Sequence, residues 1–449
     1  MTRRSVRSGP VRVTAAAALV AGALTVAPAV WASPEPAAPP SAGCTDVDLA
    51  LTYEEQFLSR PEPARFIEGG GFSDTLEAFQ QALCDADSLA SARSVVHEHS
   101  RDLWDLAVAR VQDKAEPGGT LSDGDDRPLY WTRLAMSAAL RQWDPGFAVA
   151  EHDRAALIAD LDRISRGQDD VRFPRGDQVT RVLVTGFDPF TLDRDIRQAN
   201  PSGASALALD GVTVRGPDGP IRLEAALFPV RWRDFGDGMV EEALLPHFSS
   251  SAAPVDAFAT TSQGRVGRID LEHFNGAWRA GFPDNERVCY RGVIPAAPGA
   301  PTVEPQPQWT LSTHPFAAML AANTGPFPVF DNRRVVEVPG ETPPEPVTTT
   351  CPAAPSPGVT REDGPTEGSQ ARSGGGGNYL SNEIAYRATL LRDAVGLDVP
   401  GGHIHTPVLE GLSSTDRNEL TNPEFEANRA AINAQVRDLV LVVARAASH

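Results

Sequence analysis

Positive charge is scarce in this chain. Lysine and arginine together number 40 against 59 aspartates and glutamates, a formal net charge of −19. An acidic surface repels phosphate backbones, which argues against nucleic acid as the main partner. Lysine is almost missing, Lys114 being the one example, a bias that reflects genomic base composition rather than function. Cysteine is sparse: Cys44, Cys84, Cys289 and Cys351 are all there are. No two are spaced as CxxC, which argues against a zinc site built on thiolates. Beyond the first 30 residues no apolar run is long enough to cross a bilayer, so no membrane span is expected.

What remains is ample for folding. The 449 residues are 41% hydrophobic and 22% charged. At roughly 150 residues per domain this allows about three domains with a sizeable core. The N-terminus reads as an export signal: Arg3, Arg4, Arg7 and Arg12 form a basic region, and an apolar run follows from Val13 to Val30. Val30-Trp31-Ala32 offers small residues for cleavage after Ala32. The run contains Gly22 and Pro28 and is short for a span, so cleavage of 1–32 is expected rather than retention as an anchor. Residues 33–43 read as a stiff, disordered Pro/Ala linker. A secreted chain can form disulfides. Cys44–Cys84 and Cys289–Cys351 is the pairing that keeps each bridge within one folding unit.

From 44 to 170 the pattern is helical, with amphipathic runs at Thr75–Leu83, Ser88–Val111, Arg127–Trp143 and His152–Ile164. This predicts a small all-helical domain of four or five helices, of unknown role. At Gln178 the character changes. Val179–Gly186 is a β-branched run ending in a glycine turn. Strand-like runs at Leu223–Val230 and Ala257–Thr261 then alternate with helix-like runs at Pro201–Leu209, Phe235–Leu245, Thr313–Ala322, Asn382–Val395 and Pro423–Ala446. Such alternation predicts an α/β domain over 178–449. Residues 331–373, rich in Pro, Gly, Thr and Glu and without a period, read as a partly disordered surface insertion tethered by Cys351.

Three places could carry chemistry. Gly186-Phe187-Asp188-Pro189-Phe190 follows the first strand, where ligands bind in open α/β sheets, and its two rings could wall an apolar pocket. Gly374–Gly377 leads into an amphipathic helix with Ser381 near its start, where free N–H groups and the dipole stabilise an oxyanion or an ionised nucleophile. His403 and His405 share one strand face. No third ligand of suitable spacing accompanies them, so no metal is expected, and one of the pair could be a general base.

These pieces, in order, resemble the pyroglutamyl peptidase I (pyrrolidone-carboxylate peptidase) family over about 181–446. The matching motifs are Gly186-Phe187-Asp188-Pro189-Phe190, Asn200-Pro201-Ser202, Phe228-Pro229-Val230, Gln263-Gly264-Arg265, Pro283-Asp284-Asn285, Tyr379-Leu380-Ser381-Asn382 with Tyr386 downstream, and Ile404-His405-Thr406-Pro407. Ser381 and His405 are 24 residues apart, as nucleophile and base are in the family. The resemblance implies a three-layer α/β/α sandwich, no cofactor, and removal of N-terminal pyroglutamate from peptides. It implies Ser381 as nucleophile in place of the family's Cys, His405 as base and Glu272 as orienting acid. Phe187, Phe190, Gln263, Tyr379 and Leu380 would bind substrate. Glu272 stands one residue out of register with the family acid, where a gapless alignment puts Leu271, and Asp270 is the alternative. Gly281 replaces a family arginine, with Arg279 displaced nearby. A serine needs an adjacent base before it attacks, so a serine hydrolase and an inactive binder of pyroglutamyl peptides are both open. An amidase for another N-terminal cap or a cell-wall amide is a third reading. The sequence says nothing of oligomeric state.

Overall fold

The structure, a computed structural model, describes residues 43–115, 118–176, 178–249, 253–351 and 357–447. The expected signal sequence and nearly all of the linker lie outside the described residues.

After a short 3-10 turn at Glu55–Ser59 come five helices: α1 Pro61–Gly69, α2 Ser73–Cys84, α3 Leu89–Val111, α4 Arg127–Gln142 and α5 Glu151–Ile164. Local chemistry sets their starts. Ser88 caps α3 by accepting from the Ser91 backbone N–H at 3.2 Å. α1 and α4 carry proline in their first positions, where no intrahelical partner for an N–H is lost.

The remainder is built on a seven-stranded sheet. In chain order its strands are β1 Thr180–Phe187, β2 Thr213–Arg215, β3 Pro220–Phe228, β4 Ala257–Gln263, β5 Ile269–Glu272, β6 Val329–Asn332 and β7 Gly401–Thr406. Their spatial order is β6-β5-β7-β4-β1-β3-β2. β7, β4, β1 and β3 run parallel, and β2 turns back against β3 at one edge. On the other side β5 runs antiparallel to β7, and β6 follows β5 in parallel.

The helices among these strands are α6 Pro201–Leu209, α7 Trp232–Asp237, α8 Met239–Phe248, α9 Phe316–Ala321, α10 Leu380–Ala394 and α11 Pro423–Ala447. The run expected as one helix from Phe235 to Leu245 is broken. Gly238 sits at φ +99, ending α7 and starting α8, a conformation that costs glycine little.

Alternate residues of the sheet feed two cores. Val182, Val184, Leu227, Ala259, Leu271 and Ile404 pack with Ile432, Val436 and Val440 of α11. Leu183, Phe228 and Phe258 pack with Val240 and Leu244 of α8 and with Ile384, Ala388 and Leu391 of α10. The result is a three-layer α/β/α sandwich. The first core does not stop there: the same cluster takes in Phe66, Phe79, Trp104 and Trp131 of α1–α4. The helical segment and the sheet layers thus share one apolar interior.

Within the segment expected as an insertion, 331–373, the described residues form short strands. Asp331 and Asn332 complete β6, and Val335–Val338 is the middle of a three-stranded antiparallel sheet, between Val359–Arg361 and Gln370–Ser373. The nearly buried Glu337 carboxylate ties it together, accepting from Arg361 Nε at 2.6 Å, the Thr366 N–H at 2.6 Å and the Thr366 hydroxyl at 2.7 Å. Strands of three or four residues with one polar anchor leave no period to read. Among the described residues no helix is long and apolar enough to cross a membrane.

Both expected disulfides are present, Cys44–Cys84 and Cys289–Cys351, each with Cα atoms 5.4 Å apart. They close separations of 40 and 62 residues, for which loop-closure entropy is about 4 kcal/mol each. Replacing both cysteines of one pair by serine should therefore lower stability by up to about that amount, read from urea unfolding. An unchanged midpoint would show that the bridge constrains nothing the unfolded chain was free to do.

Candidate active site

The site begins where β5 reverses direction. Its pairing sets His403 opposite Glu272, Ile404 opposite Leu271 and His405 opposite Asp270. Paired residues share a face, so Glu272 joins the two histidines while Leu271 enters the core behind the sheet. The register thus sets Glu272, and not Leu271, on the face of the histidines. Its Oε1 lies 2.7 Å from His405 Nδ1, and its Oε2 accepts from Asn332 Nδ2 at 2.6 Å. Asp270 is occupied elsewhere: Arg268 Nε donates to it at 2.9 Å, and Arg265 stands 3.5 Å away.

Glu272 is fully buried, and a buried carboxylate needs its hydrogen bonds. With Nδ1–H committed to Glu272, the His405 Nε2 lone pair is left to act as a base. Gly375 makes room for this arrangement, since a Cβ there would fall 2.2 Å from Glu272 Oε2.

Ser381 is the second residue of α10 and half-buried. Two buried side chains pin this end of the helix. Asn382 accepts from the Gly276 N–H at 2.9 Å and donates to the carbonyls of Gly276 and Trp278 at 2.8 and 3.2 Å. Glu383 takes Arg279 and Arg387. Burial raises the Glu383 pKa, but the two guanidiniums outweigh it and hold the carboxyl below its ordinary value. A negative charge in the first turn also complements the helix dipole. The displaced Arg279 therefore serves the helix start.

Of the helix-start N–H groups, those of Asn382 and Glu383 both donate to the Tyr379 carbonyl, at 3.0 and 3.1 Å. Among the described residues none accepts from the N–H of Leu380 or Ser381, and none hydrogen-bonds the Ser381 hydroxyl.

Ser381 lines a cavity of about 20 Å³ together with Phe187, Phe190, Gln263, Tyr379 and Leu380, the residues expected to bind substrate. Asn200, Val230 and Ser262 complete it. That volume admits about one water. Phe190 lies against Tyr379, and Tyr379 meets Trp232 edge-on with centroids 5.0 Å apart. The Gln263 Oε1 is buried without a partner.

Glu272 and His405 stand outside this wall. His405 is nonetheless close to the helix start: a Cβ on Gly376 would lie 3.4 Å from His405 Cε1 and 3.3 Å from the Asn382 backbone N. Sequence reasoning missed Asn332, which lay in the supposed insertion and gave no signal. Asn382 stands in a sequence motif, but its clamp on the helix depends on partners 104 and 106 residues away.

The helical segment grips the loops behind the pocket. Asp188, buried between Phe187 and Pro189, accepts from Arg133 of α4 at 2.7 Å and from Arg166 at 2.9 Å. Asn285 donates to the Pro189 carbonyl at 3.0 Å and to Glu54 at 2.7 Å, and the Tyr130 hydroxyl donates to the same Glu54 oxygen at 2.6 Å. Beside these groups lies a charged cavity of about 660 Å³, lined in part by Glu54, Arg133, Asp162, Arg166 and Arg231.

Burial pushes the Glu54 carboxyl up to about 7 from an ordinary 4.5, although Arg231 works against it. Below 4.5 the folded and unfolded chains both hold the proton. Between 4.5 and about 7 only the folded chain does, so stability falls as pH rises, by up to about 1.4 kcal/mol per unit. Above about 7 this loss is complete. Glu54→Gln should flatten this slope and raise stability at pH 7.5 by on the order of 2 kcal/mol, as measured by chemical denaturation across the range.

Two family models match the chain: the PA0049 N-terminal domain over residues 35–162, and the PA0049 C-terminal domain over 181–306 and 327–410. The second runs through 331–373. The uncharacterized protein PA0049 of Pseudomonas aeruginosa is 34% identical, over 91% of this chain and 92% of its own length. Solved structures similar to this chain include a mutant pyrrolidone carboxyl peptidase from P. furiosus, 19% identical over 58% of this chain and 99% of that one, with a TM-score of 0.35. Pyroglutamyl peptidase I from Bacillus amyloliquefaciens is 17% identical over 60% of this chain and 95% of that one, with a TM-score of 0.34.

Proposed function

This chain belongs to the PA0049 family, and we propose that it is an exported peptidase-like hydrolase that removes pyroglutamate from the N-terminus of peptides. The observation that carries this reading is the bond between His405 and the buried Glu272, set beside a helix start whose serine lines an aromatic cavity. The order of motifs shared with pyroglutamyl peptidase I supports the choice of cap. The N-terminal basic and apolar runs and the two disulfides support export.

In this reading His405 Nε2 removes the Ser381 proton as the oxygen attacks the amide carbonyl. The unpartnered N–H groups of Leu380 and Ser381 receive the developing oxyanion. Glu272 holds the tautomer and stabilises the imidazolium. The imidazolium returns its proton to the departing amine, leaving the pyroglutamyl group as an ester on Ser381. His405 then deprotonates a water that attacks the ester, and Ser381 leaves with the proton. Phe187 and Phe190 wall the ring, and Gln263 supplies a polar contact to it.

A second reading, a binder of pyroglutamyl peptides without turnover, is favoured by one observation: the Ser381 hydroxyl makes no hydrogen bond to His405.

The purified chain lacking residues 1–32 should release the reporter from a pyroglutamyl anilide. Ser381→Ala should lower kcat/KM by about 10³-fold or more. Equal activity in the variant would refute the mechanism. A silent wild type that still binds pyroglutamyl peptides, with binding lost on Phe187→Ala and no turnover gained by Ser381→Cys, would establish the second reading.

A further inference from the structure

One wall of the cavity carries a hydroxyl that the mechanism does not use. Ser262, near the end of β4, lines the cavity, and its Oγ is 2.8 Å from His403 Nε2. The other ring nitrogen, Nδ1, is 2.8 Å from the Thr260 hydroxyl, which donates to the Gly402 carbonyl at 3.1 Å. The strand register explains the alignment: His403 lies opposite Thr260, and His405 lies opposite Ser262. His403 is fully buried, and the His405 ring meets its edge with centroids 4.8 Å apart.

Proton counting orients the chain. A hydroxyl has one proton. Thr260 spends its own on a carbonyl that can only accept, so toward His403 it is an acceptor, and His403 must carry its proton on Nδ1. Nε2 is then bare, and the Ser262 hydroxyl donates to it. The Ser262 oxygen keeps only lone pairs for the cavity.

We propose that Thr260, His403 and Ser262 form a hydrogen-bond chain that locks the Ser262 oxygen as an acceptor, so that the ligand group it reads must be an N–H donor. This rests on the reading of the cavity as a cap-binding site and deepens it: the cap is read as a lactam, by its N–H, and a lactone of the same shape is refused. Ser262 is not a second nucleophile. Burial, with His405 and His314 nearby, holds the His403 pKa far below its ordinary value, and His403 has no carboxylate partner, its Nδ1 facing Thr260. It is poorly placed to take up a serine proton. His403 is a positioning residue, acting on the ligand through Ser262.

Two measurements test this. In the first, ¹⁵N-histidine NMR of the wild-type chain lacking residues 1–32 should show His403 neutral with its proton on Nδ1 from pH 5 to 8. A proton on Nε2, or titration within that range, overturns the proposal whatever else is found. In the second, pyroglutamyl amide and its lactone isostere compete for the Ser381→Ala protein, which removes turnover from the comparison. The lactam should bind on the order of 10- to 100-fold more tightly, and adding Ser262→Ala should shrink the preference below about threefold. Equal binding of lactam and lactone overturns the proposal. If neither probe binds while His403 shows the Nδ1–H form, the cap-binding reading falls and the locked hydroxyl stands.

Discussion

The hydrogen bond between His405 and the buried Glu272 depends on a strand that runs against its neighbour. In a sheet whose centre is parallel, β5 pairs antiparallel with β7, and that reversal sets a carboxylate on the face of the histidines. Taking a carboxylate out of water is costly, and two hydrogen bonds, from His405 and from Asn332 on β6, offset the cost. The surroundings follow from this need. β6 supplies the amide, Gly375 leaves the volume the carboxylate fills, and Asp270 is drawn away by arginines. The imidazole so held lies close to a helix start that Asn382 clamps to the strand at Phe274–Gly276.

A second constraint comes from the helical segment. The loop from Phe187 to Phe190 carries the aromatic wall of the cavity, and its Asp188 is held by Arg133 and Arg166. These ion pairs are buried, and removing one partner of such a pair leaves an uncompensated charge inside the protein. The position of the wall is therefore coupled to α4 and to the turn after α5. The shared hydrophobic cluster makes the same coupling in apolar terms. The helical segment thus acts on the site through packing and charge, without itself lining the small cavity.

Much of the fold was legible because its signals are local. Helices such as α3, α5 and α11 show apolar residues at three-to-four spacing over many positions. β1 is a β-branched run, with Gly186 inside the strand one residue before its end. The segment 331–373 was illegible for the opposite reason: its strands are three or four residues long, and a single carboxylate, Glu337, organises them. Asn332 was hidden with it. The break at Gly238 shows a smaller limit, since an apolar pattern can continue across a left-handed residue that ends one helix and begins another.

Sequence by itself determined which side chains were available: Ser381 at a helix start, His405 two residues after His403 on a strand, two phenylalanines after the first strand, and four cysteines in two separate stretches. Motif order and period are properties of neighbouring residues, so they can be read from the chain. Tertiary structure alone decided which acid faces His405, where the N–H groups of α10 go, and which ring nitrogen of His403 the Ser262 hydroxyl meets. Those outcomes depend on strand register and on partners more than 100 residues away, such as Glu272 for His405 and Ser262 for His403. A one-residue slip of β5 would carry its carboxylates to the opposite face, and no local pattern in the chain encodes that register.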